Sequence, residues 1–335
     1  MTTAATNQHV LSVRNLRVAY STPTGYLHAV DDVSFDLSAG ESLGVVGESG
    51  CGKSTMGKAL MQLLPPGAQM SGSVQLKDDE LVGVSRRDLR RIRGEEMALV
   101  FQEPMTRLDP LMKISTHFVE AIRAHRPRTS KSAAREMGRK AMAQMGIPPT
   151  RADNYPHEFS GGMRQRIMIA LGVVMQPSII VADEPTTALD VIVEAQILDL
   201  LDRLRRDEDL GLILITHNLG IVAETCDRVA VMYAGRIVEL GPVEEVFTTP
   251  KHPYTQGLLR SVISVDTTEL ASIEGFPPDL QHPPAGCRFA PRCDQVFSDC
   301  PVTDPRLTAV TDHTAAACLL YDGAYPPEHR EGAHA

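Results

Sequence analysis

An α/β fold built on a parallel sheet is the architecture this sequence predicts, and three observations predict it. The stretch Gly47-Glu48-Ser49-Gly50-Cys51-Gly52-Lys53-Ser54-Thr55 carries the spacing G-x-x-x-x-G-K-[ST] of a phosphate-binding loop. The apolar run Ser42 to Val46 precedes it and a helix-compatible run from Lys53 to Leu64 follows, the strand–loop–helix setting that such a loop requires. A second apolar run, Ser178 to Ala182, ends in Asp183 and Glu184. That places two carboxylates at the carboxyl edge of a parallel sheet, where open α/β sheets put their ligands.

Composition bounds the rest. The 335 residues can bury a large core and suffice for one big domain with an appendage, or for two domains. With 43% hydrophobic and 22% charged residues, the balance is that of a globular protein. A net charge of -9, no tryptophan and only 4% aromatics argue against a nucleic-acid surface. No apolar run approaches the ~20 residues of a membrane span. Met1 to Val10 lacks the charged-then-apolar pattern of a signal peptide, so the chain is expected in the cytoplasm, reaching a membrane through a partner.

Val10 to Tyr20 and Val33 to Leu37 alternate as strands do, and Ala39-Gly40-Glu41 turns the chain into the strand before the loop. Tyr20 closes the first run, and its ring reads either as a half-buried strand end or as a stacking surface for a nucleotide base. Gly47, Gly50 and Gly52 let successive amides turn inward around anionic oxygens, and the helix N-terminus adds partial positive charge there. Lys53 would reach the β- and γ-phosphates, and the Ser54 hydroxyl would hold Mg²⁺. Pro65-Pro66-Gly67 breaks the chain. A short strand pair at Gly72 to Leu76, a basic stretch from Ser85 to Arg93 and a strand from Met97 to Phe101 follow. Gln102 at that strand's end either faces a nucleotide and its metal or is a plain polar terminus.

Residues 105 to 158 change character, with helical spacing over Leu111 to Ala124 and Ser132 to Met145, and read as a helical insertion. Phe159-Ser160-Gly161-Gly162-Met163-Arg164-Gln165-Arg166 opens the helix that runs to Met175. Ser160 is its expected N-cap, and the two glycine amides make a second candidate anion site. Joined to the phosphate loop, Asp183 reads as a Mg²⁺ ligand, direct or through water, and Glu184 as the group that polarises an attacking water. Pro185 to Asp190 turns into the amphipathic helix Val191 to Arg206, and a strand from Leu212 to Thr216 ends at His217. A histidine there could touch a γ-phosphate, although a lone histidine is more often structural. Arg228 to Tyr233 and Arg236 to Leu240 pair around Gly235 as a hairpin.

From about residue 243 proline accumulates, and little regular structure is expected. Four of the six cysteines, Cys287, Cys293, Cys300 and Cys318, crowd this segment as C-x₅-C-x₆-C-x₁₇-C. In a reducing cytosol such a cluster suits a metal centre better than disulfides. The spacing is not a pair of zinc knuckles, and a [4Fe–4S] cluster tolerates it, but Zn²⁺ and four free thiols stay open on these residues alone.

Taken together, the residues resemble the nucleotide-binding subunit of an ATP-binding cassette (ABC) transporter. The Walker A stretch Gly47 to Thr55, the Q-loop Gln102, the signature Ser160 to Gln165, the Walker B run Ile179 to Glu184, the D-loop Ala188-Leu189-Asp190 and the H-loop His217 stand in family order across about residues 10 to 245. Tyr155 to Arg166, Glu184 to Val191 and His252-Pro253-Tyr254-Thr255 look like the dipeptide/oligopeptide importer branch. Two departures are small: Phe159 stands for the usual leucine and Cys51 for a more usual serine, both beside contacts made by backbone.

The resemblance implies a P-loop (RecA-like) nucleotide-binding domain over 8–245, with an antiparallel β-subdomain and an α-helical subdomain at about 104–176. A C-terminal segment, 246–335, would carry the cysteine cluster. It aligns Tyr20 with the adenine-stacking A-loop aromatic. It puts ATP against Tyr20, Gly47, Ser49, Gly50, Cys51, Gly52, Lys53, Ser54, Thr55, Gln102, Asp183 and, from a facing subunit, Ser160, Gly161, Gly162 and Gln165. Mg²⁺ would be held by Ser54, Gln102 and Asp183, with Glu184 as general base and Lys53 and His217 on the γ-phosphate. One ATPase subunit of that branch carries a four-cysteine [4Fe–4S] segment, which Cys287, Cys293, Cys300 and Cys318 match, and this raises the cluster above Zn²⁺. Implied partners are a second ATPase subunit in a heterodimer, two membrane-spanning permease subunits and an extracytoplasmic substrate-binding protein, with no nucleic acid. The expected place is the cytoplasmic face of the membrane and the expected cargo di- or oligopeptides, with glutathione or nickel as related cargoes. A soluble ABC ATPase of DNA repair or translation is a rival, but those usually carry two cassettes or a long coiled-coil insertion. A regulatory module with the cysteine tail as its active part is another.

Overall fold

The computed structural model describes residues 9–100, 107–187, 189–261 and 272–322. In chain order they form β1 (His9–Thr22), β2 (Gly25–Ser38), β3 (Ser42–Val46), α1 (Lys53–Leu60), β4 (Gln69–Leu76), β5 (Asp79–Glu80), α2 (Arg86–Glu95) and β6 (Met97–Val100). There follow α3 (Ile114–His125), α4 (Lys131–Gln144), α5 (Gly161–Val173), β7 (Ile179–Asp183), α6 (Val191–Glu208), β8 (Gly211–Ile215) and α7 (Leu219–Thr225). The chain then makes β9 (Arg228–Tyr233), β10 (Arg236–Pro242), α8 (Val243–Thr248), α9 (Pro253–Arg260), β11 (Thr308–Ala309) and β12 (Ala315–Ala316). Two compact units result, one from described residues 9–11, 37–42 and 76–214, the other from 12–36, 43–75 and 215–322.

In the first unit the strands run in the order β8-β7-β6, with β6 parallel to β7 and Met97 opposite Ile179. Every residue of β7 and β8 is buried, as strands covered on both faces demand. Helices α3, α4 and α5 form the helical part of this unit. Gly138 lets α4 lie close on α3, because a Cβ there would stand 2.6 Å from the Phe118 ring. The basic stretch Ser85 to Arg93 is a helix, α2, capped by Ser85, whose hydroxyl accepts the Asp88 amide. It breaks at Arg93-Gly94, where Gly94 takes φ 90.

In the second unit one sheet has the order β2-β1-β4 and the other β11-β12-β10-β9-β3. There β9 is parallel to β3, with Leu43 opposite Arg228, and β10 returns antiparallel to β9 with a bulge between Ile237 and Glu239. The C-terminal segment, expected to hold little regular structure, lays β12 antiparallel on β10 and seats α8 and α9 beside the sheet. Tyr233, Tyr254 and Phe289 meet at centroid distances of 4.6, 5.2 and 5.5 Å and form the middle of this core. Glu239 is fully buried in β10, and its carboxylate accepts the Lys251 and His252 amides at 2.7 and 3.0 Å, which offset part of the cost of burial that pushes its pKa up.

Candidate nucleotide site and cysteine pocket

The second unit carries the phosphate loop between β3 and α1. Gly47 takes φ 148 and a Cβ there would meet the Met232 carbonyl at 2.1 Å; Gly52 takes φ 106 and a Cβ would meet the Ala29 carbonyl at 2.1 Å. Both glycines are fixed by the approach of neighbouring strands as much as by the turn itself. Gly50, at φ 80, has nothing within 4 Å of its Cβ position, which leaves that side of the loop open. The Lys53 ammonium is buried and donates to the carbonyls of Gly47 and Glu48 at 2.7 and 3.0 Å. Ser54 and Thr55 open α1, and the Tyr20 hydroxyl donates to that of Thr55 at 3.2 Å. Tyr20 therefore stands beside the helix that follows the loop, although 35 residues separate the two positions. Burial pushes the Cys51 thiol up, against the opposing pull of Lys53. His217 is exposed just after β8, where Asn218 caps α7 by accepting the Gly220 and Ile221 amides at 3.0 and 3.3 Å.

In the first unit Asp183 ends β7, 8% exposed. Glu184 follows in the left-handed region at φ 48, a conformation that costs a non-glycine residue about 1–3 kcal/mol and clusters at functional sites. The Thr187 hydroxyl donates to its carboxylate at 3.0 Å. Ser160 caps α5 by accepting the Met163 amide, and Ser160 and Gly161 are exposed at that helix end. Gly162 is a packing requirement, since a Cβ there would lie 2.4 Å from Val193 of α6. Gln165, expected at the nucleotide, is instead 1% exposed on the inward face of α5. Gln102 and Ala188 lie outside the described residues.

The four C-terminal cysteines come together in the second unit. Cys287, Cys293, Cys300 and Cys318 share the wall of one small pocket of about 20 Å³, lined also by Phe297, Leu319 and Leu320. All are free thiols. Burial pushes Cys293 and Cys318 up to about 12, and the amides of Gln295 and Leu320, each two residues on, act against that rise. Burial likewise raises Cys287, opposed by the amides of Phe289 and Ala290. Among the described residues no three His, Cys, Asp or Glu side chains converge closely enough for a single metal ion. Backbone amides are directed at the sulfurs of Cys287, Cys293 and Cys318. Two contacts to the loop from this segment have no trace in residue spacing: Arg292 holds the Glu48 carboxylate and the Tyr254 hydroxyl accepts the Glu48 amide.

Comparison with known proteins agrees with this geometry. Residues 30–187 match the family model "ABC transporter", and residues 238–300 match "Oligopeptide/dipeptide transporter, C-terminal region". A dipeptide transport ATP-binding protein of Bacillus subtilis is 46% identical over 94% of this chain and 96% of its own length. An oligopeptide transport ATP-binding protein of Haemophilus influenzae is 44% identical over 93% and 97%. Among solved structures, cbiO1 of Clostridium perfringens, part of an ABC transporter complex, superposes with a TM-score of 0.61 at 28% identity, covering 72% of this chain and 92% of that one. The ATP-binding cassette MJ0796, dimeric and bound to ADP and Pi, gives 0.62 at 25% identity over 70% and 98%. The fold is that of an ABC ATPase, and the chain belongs to the ATP-binding subunits of the dipeptide/oligopeptide branch of ABC transporters.

Proposed function

We propose that this chain hydrolyses ATP to drive import of di- or oligopeptides through membrane-spanning permease subunits, working from the cytoplasmic face of the membrane. The observation that carries the reading is that one chain matches both the cassette and the oligopeptide/dipeptide C-terminal region, and is 46% identical to a dipeptide transport ATP-binding protein. Among the described residues no helix is long and apolar enough to cross a membrane; in this reading other chains supply the permease. An extracytoplasmic binding protein would deliver the cargo.

The loop amides and Lys53 bind the phosphates, and the parked position of Lys53 on two loop carbonyls keeps its charge beside them. Ser54 and Asp183 would hold Mg²⁺, with Gln102 as a third contact, and that ion would neutralise charge on the transferring phosphoryl group. Glu184 takes the proton of the attacking water, His217 steadies the γ-phosphate and Tyr20 stacks on the base. Ser160 and the Gly161–Gly162 amides act on the ATP of a second ATPase subunit, paired head to tail as a heterodimer, so that ATP closes the pair and its hydrolysis releases it. The dimeric, ADP- and Pi-bound cassette among the structural relatives is consistent with that arrangement.

Cys287, Cys293, Cys300 and Cys318 hold a [4Fe–4S] cluster in this reading. A cubane takes one thiolate at each iron, whereas Zn²⁺ draws all its sulfurs to about 2.3 Å from a single point. The four cysteines on the wall of one apolar pocket are what support this reading. When bound, such a cluster offsets the cost of burying four thiolates. The test of the function is reconstitution of the chain with its permease and ATPase partners in vesicles. ATP should drive accumulation of a labelled dipeptide, and Glu184→Gln should keep ATP binding while uptake and hydrolysis fall by roughly a hundredfold or more. Wild-type turnover in that variant would overturn the base assignment, and ATP-driven uptake of nickel but not peptide would overturn the cargo.

A further inference from the structure

The phosphate loop is held from the C-terminal segment. Arg292, whose side chain is 5% exposed, meets the Glu48 carboxylate with both ends of its guanidinium, at 2.8 and 3.0 Å. Its remaining donors go to the Glu274 carbonyl at 2.9 Å, the Ile273 carbonyl at 3.2 Å and the Tyr233 hydroxyl at 3.3 Å. All five N–H groups are thus engaged, and the fork has one orientation available to it. The Glu48 amide donates to the Tyr254 hydroxyl at 2.9 Å, and Tyr254 is fully buried. The Glu48 carbonyl, the third polar group of that residue, is one of the two that hold Lys53. Two of the three polar groups of Glu48 are therefore fixed by residues more than two hundred positions away, and the third sets the phosphate-binding lysine. A second grip runs in parallel. Arg288 donates to the Ala234 carbonyl in the β9–β10 turn, whose Gly235 amide reaches the Cys51 carbonyl of the loop at 2.9 Å.

We propose that Arg292 is a positioning residue for nucleotide binding: through Glu48 it sets the loop carbonyls on which Lys53 rests, so the C-terminal segment completes the phosphate site. A loop fixed at only one end samples conformations in which its amides diverge, and each costs affinity in proportion to its population. The turn that carries Arg292 also carries Cys293, which ties the cysteine pocket to the same element. The inference does not depend on what that pocket holds, and its failure would leave the transport reading standing.

The test is the affinity of the full-length protein for a fluorescent ATP analogue with Mg²⁺, across Arg292→Met, Arg292→Lys, Glu48→Gln and the double variant Arg292→Met with Glu48→Gln. Arg292→Met should weaken binding roughly fivefold, and Arg292→Lys, which keeps the charge but loses the fork, by less. The double variant should bind no more weakly than the worse single variant, because both changes cut one connection. Analogue binding within about twofold of wild type in folded Arg292→Met, or additive losses in the double variant, would overturn the proposal. If Arg292→Met loosens the segment, seen as new protease sensitivity, Glu48→Gln decides, since it leaves every hydrogen bond inside the segment in place. Normal affinity in Glu48→Gln would then reduce Arg292 to an anchor.

Discussion

His252 gives the C-terminal packing a pH dependence whose size can be worked out. The side chain is buried, caps α9 by accepting the Tyr254 amide on Nδ1 at 3.0 Å, and turns its other nitrogen toward the backbone of Ala317. Both contacts belong to the neutral ring with its proton on Nε2. Burial lowers its pKa from the ordinary 6.5 to about 3. The folded-state value is the depressed one, so as pH falls the unfolded chain takes up the proton first. The associated stability is whole above pH 6.5 or so and drains away between there and pH 3. At about 1.36 kcal/mol per unit, going from pH 7 to pH 5 removes about 2 kcal/mol. Asparagine can cap a helix and does not titrate, so His252→Asn keeps the amide contact and removes the proton site. Guanidinium unfolding of both proteins at the two pH values, followed by circular dichroism, isolates the effect, because every other titrating group is shared. Wild type should lose about 2 kcal/mol more than the variant. Parallel losses in the two proteins would refute the reasoning.

Two further outcomes are expected. Gly162→Ala should destabilise the chain by about 1–3 kcal/mol, because the new Cβ overlaps Val193, and adding Val193→Ala should restore most of the loss in a thermal melt; an unchanged melting temperature in the single variant would show that α5 and α6 yield freely. Anaerobically purified protein should contain iron and absorb broadly in the visible, and replacing any of Cys287, Cys293, Cys300 or Cys318 by serine should bleach it; zinc in place of iron would overturn the cluster.

What could be read from the sequence was chemistry imposed on backbone. Gly47 and Gly52 stand where strands press on a turn, Asp183 where a buried strand runs out, and Ser160 where a helix needs a cap. Each leaves a local pattern of residue types. Gln165 is buried with its own helix, since Gln165, Ile169 and Val173 fall at intervals of four and all are buried. Helix α2 shows no helical period in its sequence, because just two of its positions, Leu89 and Ile92, turn apolar groups inward. The hold of Arg292 on Glu48 spans 244 residues, and a contact of that separation has no periodicity to betray it.

That separation bears on what the C-terminal segment is. At about residue 243 the composition changes, but the core does not. Tyr233 lies on the strand beside the loop-bearing β3, yet its ring packs against Tyr254 and Phe289, both beyond the change. Glu239 on β10 would be a buried charge without the amides of Lys251 and His252, and a stranded carboxylate of that kind is among the costliest things an interior can hold. β12 occupies the edge that β10 would otherwise leave unpaired. An appendage adds contacts to a finished body, whereas this segment supplies aromatic partners, carboxylate donors and an edge strand that the nucleotide-binding unit lacks by itself. The proline-rich composition reflects a chain that wraps a surface in short turns rather than one that stands apart from it.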